Sequence, residues 1–227
     1  LYILKVGDVV KLADESIWVV KEEDGLRIYK PPVAGKMYSC GADVAEGVYG
    51  GDYSTAHFWD KTTGEEVAMY RGYIPPDLFG LKLDKWGRKF NNAFMAVEVN
   101  NHGLTTLTIL KQQLYPSIFF RPAKFDTFDT SSGDRMGWKT TKMTRELLID
   151  DFAQAVRDDD LTIHSKELLD EMSVMIYDDR GTIRAQEGFK DDCIFGASIG
   201  FQAFKMLYNK PLDQLRYEEF LPIAFGY

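Results

Sequence analysis

The sequence predicts an α/β domain in which helices pack on a mixed β-sheet. Three β-type runs come first and predict an antiparallel meander, because short turns separate them. An apolar run then lies between two segments of helical spacing, which is typical of a central strand covered on both faces. In chain order we predict strands at 37–45, 54–60 and 66–73, a helix at 76–90, a strand at 94–99, a helix at 104–114 and a strand at 117–120.

The N-terminal residues 1–35 are predicted to form a short β-ribbon or a linker. Runs at 17–21 and 26–29 flank an acidic turn, and two prolines follow them. We expect the main domain to span residues 36–210 and a tail to span residues 211–227.

Glycine and proline set the boundaries of the next elements. A glycine-rich loop at 47–51 ends the first strand of the meander. Pro76 opens the first helix, since proline is well tolerated in a first helical turn. Leu78, Leu81 and Trp86 are predicted to form the apolar face of this helix.

The C-terminal half is predicted to be mainly helical. Apolar residues at helical spacing indicate helices at 142–157, 165–172 and 191–207. An Asp-Asp-Arg-Gly turn between two short β-type runs predicts a hairpin with strands at 174–177 and 182–185.

Composition favours one compact globular domain that works in a reducing cytoplasm. The 227 residues are 45% hydrophobic and 27% charged, and no apolar run approaches the length of a membrane span. Two cysteines are too few for a disulfide framework. The formal net charge of -8 argues against tight DNA binding without metal ions, but it does not exclude nucleic acid as a substrate, because an enzyme that holds metal ions with carboxylates carries clustered negative charge. The chain begins at Leu1, from which we expect a fragment of a longer protein.

Acidic residues interrupt apolar sequence at three places where a carboxylate is costly. Asp43 ends the first strand of the meander, Glu98 lies near the end of the run FMAVEV, and Asp191-Asp192 opens the last helix. If the strands that carry Asp43 and Glu98 are parallel neighbours, their carboxyl ends lie at one sheet edge, and the last helix can bring a third carboxylate there. Clustered carboxylates repel one another unless a cation joins them, and oxygen ligands suit Mg²⁺ or Mn²⁺.

Each of these acids also has an ordinary structural interpretation. Asp43 can be a turn residue before the glycine-rich loop, and Asp191-Asp192 can cap a helix. Glu98 is harder to explain in this way, because strand propensity and burial both disfavour it. Other motifs are weak, since no nucleotide-binding loop is present and the three histidines lack ligand spacing, so we interpret them as structural.

Five separated blocks of sequence carry a resemblance to a known family. They are GADVAEGVYGGDYSTA (41–56), VEVNNHG (97–103), LYPSIFFR (114–121), GWKTTKMTRE (137–146) and GFKDDCIFGASI (188–199). Together they resemble the nuclease domain of the large terminase subunit of tailed bacteriophages, the motor that packages viral DNA. The resemblance implies an RNase H/retroviral-integrase-like fold, a mixed five-stranded sheet flanked by helices, here with an extra β-hairpin and a short N-terminal β-ribbon.

The resemblance also implies roles for the acidic residues. Asp43 matches the first catalytic aspartate, Glu98 the acid of the fourth strand and Asp192 the acid at the start of the last helix. These three would hold two Mg²⁺ or Mn²⁺ ions, with Asp191 as an accessory ligand. Asp52 matches a further acid that supports the ligands, although the long loop before it can move it away from them.

The implied substrate is double-stranded DNA, cut from concatemers during packaging in the cytoplasm of the infected bacterial host. The implied partners in the full-length protein are an ATPase domain, the portal and the small terminase subunit, and no membrane is involved. Nucleotide binding by this part of the protein is not expected. The cations expected to contact phosphates are Arg121, Lys139, Lys142, Arg145 and Lys190, of which the three in GWKTTKMTRE have the strongest support.

Two alternatives remain open at this point. The same fold serves junction resolvases and transposase-like nucleases, which would keep the metal chemistry and change the DNA substrate. A docking module of a packaging motor, with an acidic cluster that no longer cuts DNA, is the alternative from another class.

Overall fold

A mixed sheet of six strands forms the centre of the protein. The computed structural model describes residues 21–121, 136–177 and 183–208. Within them, the strand order in the sheet is β1-β2-β5-β4-β3-β6, with a separate two-stranded hairpin of β7 and β8. The strands are β1 (Lys21–Glu23), β2 (Leu26–Ile28), β3 (Tyr38–Asp43), β4 (Ser54–Asp60), β5 (Glu66–Gly72), β6 (Phe94–Val97), β7 (Met175–Tyr177) and β8 (Ile183–Ala185).

Helices cover both faces of the sheet. They are α1 (Pro76–Lys89), α2 (Asn101–Gln112), α3 (Lys142–Arg157), α4 (Lys166–Ser173) and α5 (Asp192–Tyr208). Successive residues of β4 point to opposite faces, so that Phe58 joins the core under α1 and α2 whereas Trp59 joins the core under α3, α4 and α5. No described helix combines the length and the apolar character that crossing a membrane requires.

Small residues let α5 approach the sheet very closely. A Cβ atom on Gly41 of β3 would lie 2.0 Å from the backbone nitrogen of Gly200 and 2.2 Å from the carbonyl oxygen of Gly196. Any larger side chain at residue 41 would therefore force the helix off the sheet. This close contact fixes the start of α5, and with it Asp192, relative to the end of β3.

The predicted α/β fold is confirmed, but the described central sheet has six strands and not the expected five, because β1 and β2 of the N-terminal ribbon join it. Strands β3, β4 and β5 form the expected antiparallel meander, and β3 pairs with β6 in parallel. The expected strand at 117–120 is reduced to single bridge pairs, such as Ile118 with Met95. The other helices and the hairpin strands match their predicted positions to within a few residues, whereas the hairpin turn lies outside the described residues.

The predicted face of α1 is partly wrong. Leu78 and Leu81 are 48% and 45% exposed, whereas Phe79, Leu83 and Trp86 are buried. The buried stripe follows the spacing i, i+4, i+7 from Phe79, so the helix is rotated relative to our expectation.

The described part of the N-terminal ribbon extends the central sheet. Strand β2 pairs with β5, and the Leu26 side chain is fully buried in the core. Most of the first predicted run, 17–20, and the whole tail, 211–227, lie outside the described residues. The domain limits at 36 and 210 stay predictions.

Candidate active site

Asp43 and Glu98 lie side by side at the carboxyl edge of the sheet. Asp43 is the last residue of β3, and Glu98 directly follows β6. The parallel register pairs Ala42 with Val97, and the Glu98 backbone N–H donates to the Ala42 carbonyl at 2.9 Å. This pairing brings the two acidic side chains to one place, as expected for the ends of parallel neighbours.

Burial and like charge act together on Asp43. Burial raises the pKa of Asp43 well above its ordinary value, and the charge of Glu98, a hydrogen bond with its carboxyl group and the charge of Asp192 raise it further. The Val44 backbone N–H opposes this shift. Two carboxyl groups in such contact share a proton unless a cation replaces it.

Asp192 begins α5 and is held from the strand side. One carboxylate oxygen accepts a hydrogen bond from the Tyr53 backbone N–H at 2.9 Å, and the Thr55 hydroxyl donates to the Asp192 carbonyl at 2.8 Å. Burial raises the pKa of Asp192 to about 6, and the charges of Asp52, Glu171 and Asp191 add to this effect although the Tyr53 N–H opposes it. Asp192 therefore belongs electrostatically to the same acidic cluster.

Asn100 supports Glu98, and the sequence analysis missed it. Its side-chain oxygen accepts the Gly103 backbone N–H at 2.7 Å and so caps α2. Its side-chain nitrogen donates to the Glu98 carboxylate at 3.0 Å and to the Val44 carbonyl at 2.9 Å. An Asn before a predicted helix is a detectable cap signal, but its contact with Glu98 depends on the tertiary fold.

The acidic residues line a cavity of about 420 Å³ together with one cation. Arg145 on α3 pairs with Asp191 at 2.6 Å, and its guanidinium carbon lies 3.9 Å from the ring centre of Phe195. Asp52 lies at the rim, where its side chain is 66% exposed and pairs with Lys190. Asp43, Glu98, Asp191 and Asp192 all line this cavity, so the predicted acids are brought together.

The remaining predicted cations occupy different positions. The Arg121 guanidinium donates to the carbonyls of Met136 and Gly137, both at 3.0 Å. Lys139 is exposed on the segment before α3, and the side chain of Lys142 lies outside the described residues. Among the described members of this predicted set, Arg145 is the one that lines the cavity.

Two of the three histidines are buried, in agreement with a structural role. His57 and His164 have exposed fractions of 0% and 3%, whereas His102 lines the cavity. His102 lies in the first turn of α2, which begins shortly after Glu98. The fold therefore places His102 near the acidic residues.

The donor set fits a hard divalent cation. Asp43, Glu98 and Asp192 offer carboxylate oxygens, which Mg²⁺ and Mn²⁺ prefer, and burial together with neighbouring acids raises the pKa values of Asp43 and Asp192. Within residues 21–121, 136–177 and 183–208, however, no three His, Cys, Asp or Glu side chains converge closely enough to hold an ion.

No protein-family model and no curated protein matches this chain. Solved structures do match it. The large terminase nuclease from thermophilic phage G20c, with bound magnesium, is 16% identical, and the match covers 86% of this chain and 96% of that chain with a TM-score of 0.65. The large terminase nuclease domain of Thermus phage P74-26 is 18% identical, with coverage of 85% and 93% and a TM-score of 0.63.

A human cytomegalovirus protein has a similar fold. The human cytomegalovirus terminase nuclease domain, soaked with manganese and bound to an inhibitor, is 7% identical, with coverage of 88% and 94% and a TM-score of 0.54. The chain has the terminase nuclease fold. This is the RNase H-like architecture predicted from the sequence, and it spans most of the chain. At these identities the likeness concerns the fold, so the roles of Asp43, Glu98 and Asp192 rest on the contacts within this chain.

Proposed function

We propose that this chain is a metal-dependent endonuclease domain that cuts double-stranded concatemeric viral DNA during genome packaging. The observation that carries the proposal is the contact between Asp43 and Glu98 at the carboxyl edge of a sheet with the terminase nuclease fold, with Asp192 facing the same cavity. A purely structural role does not account for three acids around one cavity whose mutual repulsion destabilises the cation-free protein.

The proposed ligands are Asp43, Glu98 and Asp192, with Asp191 as an accessory ligand. When bound, two Mg²⁺ or Mn²⁺ ions would activate a water molecule and stabilise the in-line displacement at a phosphodiester. Asp43 and Asp192 must be ionised to act as ligands, so their raised pKa values imply that cation binding displaces protons.

Neighbouring groups orient the proposed ligands. The Asn100 side-chain amide donates to the Glu98 carboxylate and keeps it turned toward Asp43. The Tyr53 backbone N–H does the same for Asp192, and Arg145 balances the charge of Asp191. We place Asp52 beside the ligands rather than among them, since it pairs with Lys190 at the rim.

The proposed DNA path passes over the cavity and the segment before α3. Lys139 is exposed there, Lys142 opens α3, and Arg145 and Lys190 flank the acids, so these cations and Arg121 are the proposed phosphate contacts. Arg145 would then pair with Asp191 in the absence of DNA and with a DNA phosphate when DNA is bound.

The biological setting follows from the same proposal. The domain over residues 36–210 would act in the cytoplasm of the infected bacterium, after an ATPase domain and in contact with the portal and the small terminase subunit. The similar structures support the metal dependence, because one contains bound magnesium and another was soaked with manganese.

Cleavage of supercoiled plasmid by the isolated chain tests the proposal. We expect nicked and linear products with Mg²⁺ or Mn²⁺, no products with excess EDTA, and none from the Asp43→Asn variant. Asp84→Asn is the matched control, because Asp84 lies on α1 in a surface pair with Arg88 away from the cavity. Absence of cleavage by the wild-type chain under all divalent cations would contradict the proposal, and a preference for branched DNA would favour a resolvase.

A further inference from the structure

A charged and aromatic bridge supports Asp192 from behind the cavity. Glu171 on α4 is 5% exposed, and one of its oxygens accepts the backbone N–H groups of Cys193 and Ile194 at 2.7 and 3.1 Å. These are the N–H groups directly after Asp192, at the start of α5, and they lack partners within the helix. Glu171 therefore holds the first turn of the helix that carries Asp192.

Arg71 on β5 connects Glu171 to Tyr53, a second residue that supports Asp192. Its guanidinium lies 3.5 Å from the other Glu171 oxygen, and its central carbon lies 3.8 Å from the ring centre of Tyr53. Tyr53 is the residue whose backbone N–H binds the Asp192 carboxylate. A planar guanidinium can pair with a carboxylate and stack on an aromatic ring at once, whereas a lysine ammonium cannot do both in this way.

We propose that Arg71 and Glu171 are positioning residues for Asp192, which they hold through the first turn of α5 and through Tyr53. This inference rests on the proposed metal-dependent nuclease function. Neither residue lines the cavity, so neither is placed to touch a cation or DNA. Without the bridge, the carboxylate of Asp192 would sample more orientations, and the affinity for cations would fall.

The chain offers a matched control on the same helix. Glu167 lies one turn before Glu171 on α4 and pairs with Arg27 on β2 at 2.6 Å. The two arginines have similar side-chain exposure, 24% for Arg27 and 23% for Arg71. Both pairs thus tie α4 to the sheet, but the Arg27 pair makes no contact with α5 among the bonds of the described residues.

The test compares Arg71→Met with Arg27→Met in calorimetric titration of the cation-free chain with Mn²⁺. We expect Arg71→Met to weaken Mn²⁺ binding by about tenfold or more, as for other residues that orient a metal ligand, and Arg27→Met to leave it unchanged. Both variants should lose similar stability in chemical denaturation. In cleavage assays, the Mn²⁺ concentration for half-maximal rate should rise for Arg71→Met, with most of the rate recovered at saturating Mn²⁺.

Arg71→Lys keeps the positive charge but loses the planar guanidinium that stacks on the Tyr53 ring. We therefore expect a smaller loss of Mn²⁺ affinity than in Arg71→Met. This variant also serves as the test if Arg71→Met does not fold. If both Arg71 variants bound Mn²⁺ as tightly as Arg27→Met, this inference would be overturned while the proposed function would stand. Absence of Mn²⁺ binding by the wild-type chain would overturn the proposed function and this inference with it.

Discussion

Two carboxylates on the same sheet, Glu66 and Asp43, have opposite surroundings. Glu66 on β5 accepts hydrogen bonds from four directions: the His57 ring at 2.7 Å, the Ser165 hydroxyl at 2.8 Å, and the backbone N–H groups of His164 and Ser165 at 2.9 and 2.8 Å. Burial alone would raise its pKa, but His57 and these donors outweigh burial and lower the pKa of Glu66.

Asp43 at the end of β3 is only half-buried, and it faces acids. Burial, Glu98 and Asp192 all raise its pKa, and the Val44 N–H compensates little. The difference shows that burial does not decide the role of a carboxylate, since the number of donors around it does. Glu66 receives hydrogen bonds and an ion pair from the protein itself, whereas Asp43 faces mainly acids, whose charge a bound cation would balance under our proposal.

The largest expected contrast is in catalysis. Asp43→Asn, Glu98→Gln and Asp192→Asn should each reduce the rate of plasmid cleavage by about a thousandfold or more, or about 4 kcal/mol, because each removes a charged ligand. The same substitutions should leave the cation-free protein as stable as the wild type or more stable, since they relieve repulsion. Wild-type cleavage by any one variant at saturating metal would remove that residue from the site.

Glu66→Ala should show the opposite behaviour. Removal of this carboxylate leaves the His57 ring and two backbone N–H groups without their acceptor, so the free energy of unfolding should fall by about 3–5 kcal/mol. Urea denaturation measures this loss, and the cleavage rate of the remaining folded protein should be unchanged. A loss of cleavage with unchanged stability would reverse our comparison of the two sites.

The pH dependence of stability should also separate the two sites in the absence of metal. The folded protein keeps a proton on Asp192 up to about pH 6, above the ordinary value of 3.8, so the free energy of unfolding should fall as pH rises through this window, by roughly 2–3 kcal/mol. Glu66 acts in the other direction, because its lowered pKa makes stability fall as pH drops below its ordinary value of 4.5.

Urea denaturation at a series of pH values tests these slopes. Asp192→Asn should reduce the decline between pH 4 and pH 6, to which the raised pKa of Asp43 also contributes, and Glu66→Gln should reduce the decline below it. Identical pH profiles for Asp192→Asn and the wild type would show that Asp192 does not carry the shift.

The smallest expected effect concerns DNA binding outside the acidic site. Lys139→Ala should weaken binding to unrelated duplexes equally, since phosphate contacts carry no base information, and should reduce the slope of log affinity against log salt by about 0.9. Lys166→Ala is the control, because Lys166 is 81% exposed on α4. An unchanged salt slope in Lys139→Ala would move the DNA path away from this segment.

The strands of the meander and the position of the acidic residues at the sheet edge were predictable for a physical reason. Alternating and apolar runs reflect local burial, and Glu98 stands out because a carboxylate in an apolar strand is costly. The rotation of α1 was not predictable, since Leu78 and Phe79 are equally apolar and tertiary packing decides which one is buried.

The residues that support the site could not be predicted from the sequence. Tyr53 and Asp192 are separated by 139 residues, and Glu171 meets Cys193 only because α4 packs against the start of α5. Such contacts leave no local pattern. Asn100 is the exception in part, because its role as a helix cap is readable although its bond to Glu98 is not.

The central claim is that the cavity at Asp43, Glu98 and Asp192 binds the divalent cations that cut DNA. Anomalous scattering from crystals of this chain soaked in Mn²⁺ tests it most directly. We expect difference peaks between the carboxylates of Asp43, Glu98 and Asp192, and loss of the peaks in Asp43→Asn. Peaks elsewhere with none in this cavity, from crystals of a chain that cleaves DNA with Mn²⁺ in solution, would contradict the claim.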